Sequence, residues 1–175
     1  MKILVINASP RKKGNTAALL EKIVKSYPGH SEVKVRQLID MQMAQCRGCL
    51  GCRPDKECVL ARDDAHVLGR ELKEADLVII GSPCYWGNIP GTLKTFFDRN
   101  VTTFESIGEG YIKPALKGKR AVIAVTSGAP FPFNLLPTQS TGTVRALKLA
   151  LRAGGMKIEK IVNVAGAPRR GAENE

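Results

Sequence analysis

The sequence predicts an α/β fold in which five parallel β-strands form one sheet with helices on both of its faces. Two observations support this. Five strand-like segments recur along the chain, and segments with helical periodicity alternate with them. The chain has 175 residues, enough for one domain with one hydrophobic core, and it shows no internal repeat, low-complexity segment or linker. We therefore expect residues 1–175 to form a single domain.

The first unit of the fold is a strand followed by a helix. "KILVIN" (2–7) is a continuous apolar run, which is typical of a strand buried on both faces of a parallel sheet. "NTAALLEKIVKSY" (15–27) has apolar residues at helical spacing, and Asn15 is expected to be its N-cap. Residues 8–14 between them are expected to form a loop.

The second and third strands enclose the next helix. "SEVKVRQLI" (31–39) alternates polar and apolar residues as a strand does, and "DLVIIGSP" (76–83) resembles the buried first strand. "DDAHVLGRELKEA" (63–75) predicts a helix that begins after Asp63 as its cap.

The carboxyl-terminal half continues the alternation. A short helix is expected at 91–100, with Pro90 near its start, and a second helix at 140–155 ends in glycines. Strands are expected at 119–128 and 157–166.

The segment after the fifth strand departs from this pattern. "APRRGAENE" (167–175) cannot form the closing helix that a doubly wound sheet would have there. We therefore expect the last helix to be missing and one apolar face near the last strand to be uncovered. Such a face usually finds a partner, which predicts a homo-oligomer, either a dimer or a tetramer.

Composition and charge narrow the class of protein. No apolar run reaches the ~20 residues of a membrane span, and the apolar start is too short for a signal peptide, which points to the cytoplasm. The net charge is +11, but the basic residues are dispersed without interleaved aromatic residues, so nucleic-acid binding is not favoured. A basic surface suits a phosphorylated cofactor or an acidic electron-transfer partner such as a ferredoxin.

Three loops are expected where ligands bind, beyond the carboxyl ends of the strands. The first, "ASPRKKGNT" (8–16), lacks the dinucleotide fingerprint and the P-loop pattern. It offers hydroxyls, an amide, a cation and the N–H groups of a helix start, which suit a phosphate. The second, "GSPCYWGNIPG" (81–91), contains the one tryptophan, which either covers a flat ligand or packs into a partner. The third (126–133) supplies small polar groups.

The first two loops, in "ASPRKKGNT" and "GSPCYWGNIPGTLKTFFDR", resemble the phosphate and ring loops of the flavodoxin-like NAD(P)H-dependent FMN reductases. The resemblance implies the flavodoxin-like strand order 2-1-3-4-5 and one FMN per subunit, often near a subunit interface. It also implies a set of FMN-binding residues. The phosphate residues are Ser9, Arg11, Asn15 and Thr16, and the ribityl and ring residues are Pro83, Cys84, Tyr85, Trp86, Gly87, Asn88, Thr126, Ser127 and Gly128.

The loop "CRGCLGCRPDKEC" contains four of the five cysteines, with the spacing C-x2-C-x2-C-x5-C. These candidate metal ligands are Cys46, Cys49, Cys52 and Cys58. The short spacers suit a 4Fe-4S cluster, and Gly48 and Gly51 would let the loop wrap around it. A zinc site usually has a longer spacer between two cysteine pairs, and a reducing compartment disfavours disulfides. The spacing resembles that of the iron–sulfur flavoproteins, but related flavin reductases can have such loops without a cluster.

These features predict an FMN-dependent oxidoreductase that relays electrons between FMN and a 4Fe-4S cluster. A cluster-free NAD(P)H-dependent FMN, quinone or nitro-compound reductase is the first alternative, and a flavodoxin-like electron carrier is the second. No side chain is assigned as a catalytic acid or base. His30 and His66 are expected at the surface, and Arg99 is expected to be structural.

Overall fold

The computed structural model describes residues 1–108 and 111–166. Seven strands and five helices occur in these ranges. The first half of the order is β1 (Lys2–Asn7), α1 (Asn15–Val24), β2 (Glu32–Gln37), α2 (Asp64–Glu74), β3 (Leu77–Pro83) and α3 (Gly91–Arg99). The second half is α4 (Val101–Phe104), β4 (Glu105–Gly108), β5 (Tyr111–Pro114), β6 (Arg120–Thr126), α5 (Ser140–Ala153) and β7 (Lys157–Val164).

Five strands form one parallel sheet in the order β2-β1-β3-β6-β7. Counted along the chain without the short β4 and β5, this is the order 2-1-3-4-5. The parallel α/β sheet and its strand order are therefore confirmed. The order reverses between β1 and β3, so the loops after these strands diverge to opposite sides and leave a crevice.

The sheet separates two apolar cores. The larger core lies between one face and helices α2, α3 and α5, and includes the fully buried Leu68, Leu93, Phe96 and Leu147. The smaller core lies under α1 on the other face, where Leu20 packs against the central strands. Strand β3 is buried along its whole length, which explains its unbroken apolar sequence.

The ends of several elements differ from the prediction. Helix α1 begins at Asn15, but its N-cap is Gly14, so the expectation that Asn15 caps the helix was wrong. The helix also ends at Val24, three residues earlier than expected. In contrast, Asp63 caps α2 as predicted, because its carboxylate accepts a hydrogen bond from the Ala65 N–H at 3.1 Å.

Helix α4 and the antiparallel pair β4–β5 were not predicted. They form a small excursion between α3 and β6, outside the main sheet. The four-residue strands are too short for a clear alternating pattern. The excursion nevertheless matters for the site, because Thr102 Oγ1 donates to the Lys56 carbonyl at 2.7 Å and the Ile107 N–H donates to the Pro54 carbonyl at 2.9 Å. Both bonds hold the cysteine-rich loop.

Exposed apolar side chains on the α1 face lie on the edge strand β2. Val33 and Val35 pair in register with Ile3 and Val5, whose side chains belong to the core under α1, yet they are 40% and 52% exposed. The expected uncovered face was placed near the last strand, β7, at the other edge, where Ile161 is 38% exposed. The segment 167–175, on which the prediction of a missing helix rests, lies outside the described residues.

None of the helices within residues 1–108 and 111–166 has both the length and the apolar character of a membrane-spanning helix.

Candidate functional site

A cleft of about 220 Å³ lies at the carboxyl ends of β1, β3 and β6. It is open to solvent on one side and is lined by the three loops that sequence reasoning singled out. Its lining comprises Ser9, Arg11, Gly14, Asn15, Thr16, Pro83, Cys84, Tyr85, Thr126, Ser127 and Gly128. All of these except Gly14 belong to the predicted FMN-binding set. The fold therefore brings together residues that are more than 100 positions apart in the chain.

The first loop is held in a fixed shape by its own hydrogen bonds. The Ser9 N–H donates to Asn7 Oδ1 at 3.0 Å, and Ser9 Oγ accepts from the Arg11 N–H at 3.2 Å. Gly14 has no side chain to cap α1, so no cap oxygen competes for the first amides of the helix. Amides at a helix start attract an anion, and this one opens onto the cleft.

Two buried threonines join the first loop to the third. Thr16 Oγ1 and Thr126 Oγ1 lie 2.8 Å apart, and both residues are more than nine-tenths buried. The third loop is tied to the end of β7, because the Ser127 N–H donates to the Val164 carbonyl at 2.9 Å. The floor of the cleft is therefore polar, connected and pre-formed.

The second loop contains a two-residue hairpin turn. Tyr85 and Asn88 exchange backbone hydrogen bonds of 3.0 and 2.9 Å, and the two residues between them have positive φ, +53° at Trp86 and +69° at Gly87. This is the pattern of a type I′ turn. A tryptophan is rare in the left-handed region, and here its side chain is fully exposed at the tip of the turn.

The glycine of this turn lies against another part of the chain. A Cβ at Gly87 would lie 2.6 Å from the Thr138 carbonyl oxygen. The close approach is therefore to the chain before α5. Thr143 Oγ1 also donates to the Asn88 carbonyl at 3.1 Å. Trp86, Gly87 and Asn88 stand beside the cleft and not in its lining, and their contact with a flavin ring stays a prediction.

The four cysteines of the loop are free thiols at two levels of exposure. Cys46 and Cys49 are exposed, whereas Cys52 and Cys58 are half-buried. Within the described part of the chain, no group of three or more histidine, cysteine or carboxylate side chains is close enough to hold a metal ion. The loop bends through left-handed residues at Gly48 and Leu50, between the first three cysteines. Metal ligation by this set stays a prediction.

A buried arginine closes the base of this loop. Arg99 donates from Nη1 to the Ala44 carbonyl at 2.7 Å, from both Nη atoms to the Asp63 carboxylate at 2.6 and 3.1 Å, and from Nε to Cys58 Sγ at 3.0 Å. Its side chain is completely inaccessible to solvent. Burial raises the pKa of Asp63, but the hydrogen bonds from Arg99 and the Ala44 N–H outweigh it, so the pKa of Asp63 lies below its usual value.

His66 was expected at the surface, and that prediction was wrong. It is 6% exposed, its Nδ1 accepts from the Asp63 N–H at 3.2 Å, and its Nε2 lies 2.8 Å from the Cys58 carbonyl. A carbonyl only accepts, so Nε2 bears a proton and donates. The signal in the sequence was the spacing Asp63-x-x-His66, in which the third helical residue completes a capping box.

Comparison with known proteins assigns this chain to a family. The family model described as "Flavodoxin-like fold" matches residues 1–175, so the chain belongs to the flavodoxin-like family. An FMN-dependent NADH:quinone oxidoreductase of Paraburkholderia phymatum is 31% identical over 146 residues, which are 74% of this chain and 72% of that protein.

Other relatives are named iron-sulfur flavoproteins. An iron-sulfur flavoprotein of Archaeoglobus fulgidus is 38% identical over 102 residues, 57% of this chain and 49% of that protein. The chain spans about half the length of the iron-sulfur flavoproteins that it matches. Among solved structures, the FMN-dependent NADH-azoreductase of Bacillus anthracis in complex with FMN superposes with a TM-score of 0.72 at 17% identity, covering 94% of this chain and 87% of that one. This last similarity concerns the fold.

Proposed function

We propose that the protein is an FMN-dependent oxidoreductase that relays electrons between FMN and a 4Fe-4S cluster bound by the cysteine-rich loop. The observation that carries the proposal is the polar cleft at the switch point of the sheet, which contains most of the residues of the predicted FMN site. The names of the relatives support the same activity. When bound, FMN supplies hydride and single-electron chemistry.

The residues of the cleft fit the phosphate of FMN. Arg11 offers a cation, Ser9 and Thr16 offer hydroxyls, and the start of α1 offers amides, all within the first loop and the first turn of α1. These groups suit a dianionic phosphate without a metal ion. The backbone at the end of β3 and just beyond it, from Pro83 to Tyr85, would border the ring.

The donor set of the loop fits an iron–sulfur cluster in its chemistry. It provides four thiols, and two N–H groups already point at sulfur atoms, Arg99 Nε at Cys58 Sγ (3.0 Å) and the Gly48 N–H at Cys46 Sγ (3.4 Å). Such bonds commonly surround the sulfurs of iron–sulfur sites. The exposed part of the loop would close further to bring Cys46 and Cys49 to the same metal group.

A second function is favoured by one comparison. The NADH:quinone oxidoreductase relative is covered over 72% of its length, a larger share than the iron-sulfur flavoproteins. A cluster-free reductase that takes hydride from NAD(P)H is therefore the alternative. In that case the hydrogen bonds from Arg99 to Ala44, Cys58 and Asp63 would serve only to hold the cysteine-rich loop in place.

We also propose a cytoplasmic homo-oligomer, a dimer or a tetramer, with the FMN cleft near the interface. The fully exposed Trp86 beside the cleft and the free state of all five cysteines support this. A basic net charge of +11 suits an acidic electron-transfer protein, such as a ferredoxin, as a further partner.

The test is to purify the protein without oxygen and to measure its visible spectrum, flavin, iron and acid-labile sulfide per chain. About four irons per chain with flavin bands are expected. The variant Cys49→Ser should lose the iron and keep the flavin, whereas Cys84→Ser, outside the loop, should keep the iron. Turnover is then measured with NADH, NADPH and reduced ferredoxin as donors.

The outcomes separate the two functions. Flavin with no iron, even after anaerobic reconstitution, combined with turnover by NAD(P)H would replace the first proposal with the cluster-free reductase. Neither flavin nor uptake of added FMN would reject both.

A further inference from the structure

The fourth cysteine of the loop has surroundings that the other three lack. Cys58 is the one cysteine of the set whose sulfur, among the described residues, accepts a hydrogen bond from a side chain, Arg99 Nε at 3.0 Å. Its carbonyl also accepts from His66 Nε2 at 2.8 Å. The main chain and the side chain of Cys58 are thus both fixed, while Cys46 and Cys49 are exposed.

The donor is itself rigidly held. Arg99 is the last residue of α3, its side chain is fully buried, and Asp63 binds it through two oxygens. Asp63 in turn caps α2, and its Oδ2 accepts a hydrogen bond from the Ala44 N–H at 3.0 Å. The guanidinium can therefore not rotate away from Cys58 without breaking bonds at both stems of the loop.

We propose that Arg99 is a positioning residue that fixes Cys58 as the anchored ligand of the metal cluster and raises the reduction potential of that cluster through its N–H···S hydrogen bond. The inference rests on the proposed iron–sulfur function. It also implies an order in which the cysteines bind the cluster. Cys58 is in place before metal binds, and the segment with Cys46 and Cys49 then closes onto the metal.

The effect on potential follows from where the added electron goes. Reduction increases the negative charge on the cluster and its sulfurs, so a donor aimed at one sulfur stabilises the reduced form more than the oxidised form. The charge of Arg99 is paired with Asp63, so the directional hydrogen bond is what remains to act on the sulfur. A lysine at this position would keep the positive charge, but it lacks the planar guanidinium whose N–H groups donate to the sulfur, the carboxylate and the carbonyl at the same time.

The experiment compares Arg99→Met and Arg99→Lys with the wild type after anaerobic reconstitution with iron and sulfide. Lys94→Met is the matched control, because Lys94 lies on the same helix but is exposed and pairs with Asp98. Cluster potential is measured by redox titration with electron paramagnetic resonance, and the FMN potential of the same samples by visible absorption. Iron per chain and far-UV circular dichroism report loading and folding.

We expect the cluster potential of both Arg99 variants to shift to more negative values, beyond the spread of repeat titrations, with the FMN potential unchanged and Lys94→Met equal to wild type. We also expect slower cluster loading in both. If Arg99→Met does not fold, Arg99→Lys decides. Unchanged cluster potential in a loaded Arg99 variant would overturn the inference alone, since a merely structural arginine would not move it. A wild type that takes up no iron and sulfide would overturn the proposed cluster and this inference with it.

Discussion

The turn at residues 85–88 gives the sharpest test of the geometry beside the cleft. In Gly87→Ala, the new methyl group would lie 2.6 Å from the Thr138 oxygen and 2.7 Å from its carbonyl carbon, both backbone atoms that cannot rotate away. The left-handed φ of +69° adds about 1–2 kcal/mol for a residue with a Cβ. Overpacking typically costs a further ~1–3 kcal/mol. We expect a total loss of about 3 kcal/mol in the free energy of unfolding.

The measurement is thermal unfolding, with FMN affinity followed in parallel by quenching of flavin fluorescence. For a chain of this size, ~3 kcal/mol corresponds to a Tm lower by roughly 6–12 °C. Gly91→Ala is the control four residues on, because a Cβ there meets nothing within 4 Å and lies at the first residue of α3. It should leave Tm unchanged or raise it slightly. Equal Tm values for the two variants would refute the reasoning, since the turn would then not be fixed against Thr138.

Three further predictions concern other parts of the molecule. Thr16→Val removes a hydroxyl that lines the cleft and belongs to the proposed phosphate-binding set, and we expect the Kd for FMN to rise about tenfold in equilibrium titration, because a hydrogen bond to a charged group contributes ~1.5 kcal/mol. Glu71→Gln loses the charge that pairs with Arg36, which holds the pKa of Glu71 below its usual value. The ionised Glu71 therefore stabilises the fold above about pH 4.5, and this stabilisation is lost as the pH falls further. We expect the variant to be ~1 kcal/mol less stable than the wild type at pH 7. In urea unfolding at a series of pH values, its free energy of unfolding should fall less on acidification than that of the wild type. Trp86→Ala should weaken self-association in sedimentation velocity and leave Tm within ~1 °C, because the side chain is fully exposed.

Each of these has its own control. Ser26→Ala removes a hydroxyl at the other end of α1 and should not change FMN affinity. Glu159→Gln, in a half-exposed pair with Arg120 at 3.5 Å, should barely alter stability at either pH. If the free energy of unfolding fell equally with pH in the wild type and in Glu71→Gln, the linkage argument would be contradicted. A Tm several degrees lower in Trp86→Ala would mean that the ring packs on the chain itself.

The sheet could be predicted because its three central strands, β1, β3 and β6, are buried on both faces. The unbroken apolar runs of β1 and β3 leave little choice of structure, and the alternation with helices fixes a parallel sheet. The loops at the carboxyl ends of these strands were then placed by topology alone. The small excursion at residues 101–114 could not be found in this way, because its elements of four residues contain too few residues to show a period.

The contacts of the site were less accessible to sequence reasoning. Gly87 was singled out as a ring residue, which stays a prediction, whereas the atoms that require a glycine there belong to Thr138, 51 positions further along the chain. The burial of His66 was missed because a lone histidine in an amphipathic helix has no periodic signal of its own. Its role follows from two partners, Asp63 and Cys58, that only the capped start of α2 brings within reach.

Helix α3 links the two candidate redox sites within one chain. It begins at Gly91, directly after the loop that contains Trp86, and ends at Arg99, whose side chain holds Cys58. Nine helical residues span about 14 Å, and this length is fixed because the helix buries Phe96 in the larger core. Any change that tilts α3 would therefore act on the ring loop and on the anchored cysteine together. The position of Cys58 relative to the ring loop is thus set by the packing of α3 in the core and not by the exposed part of the cysteine loop.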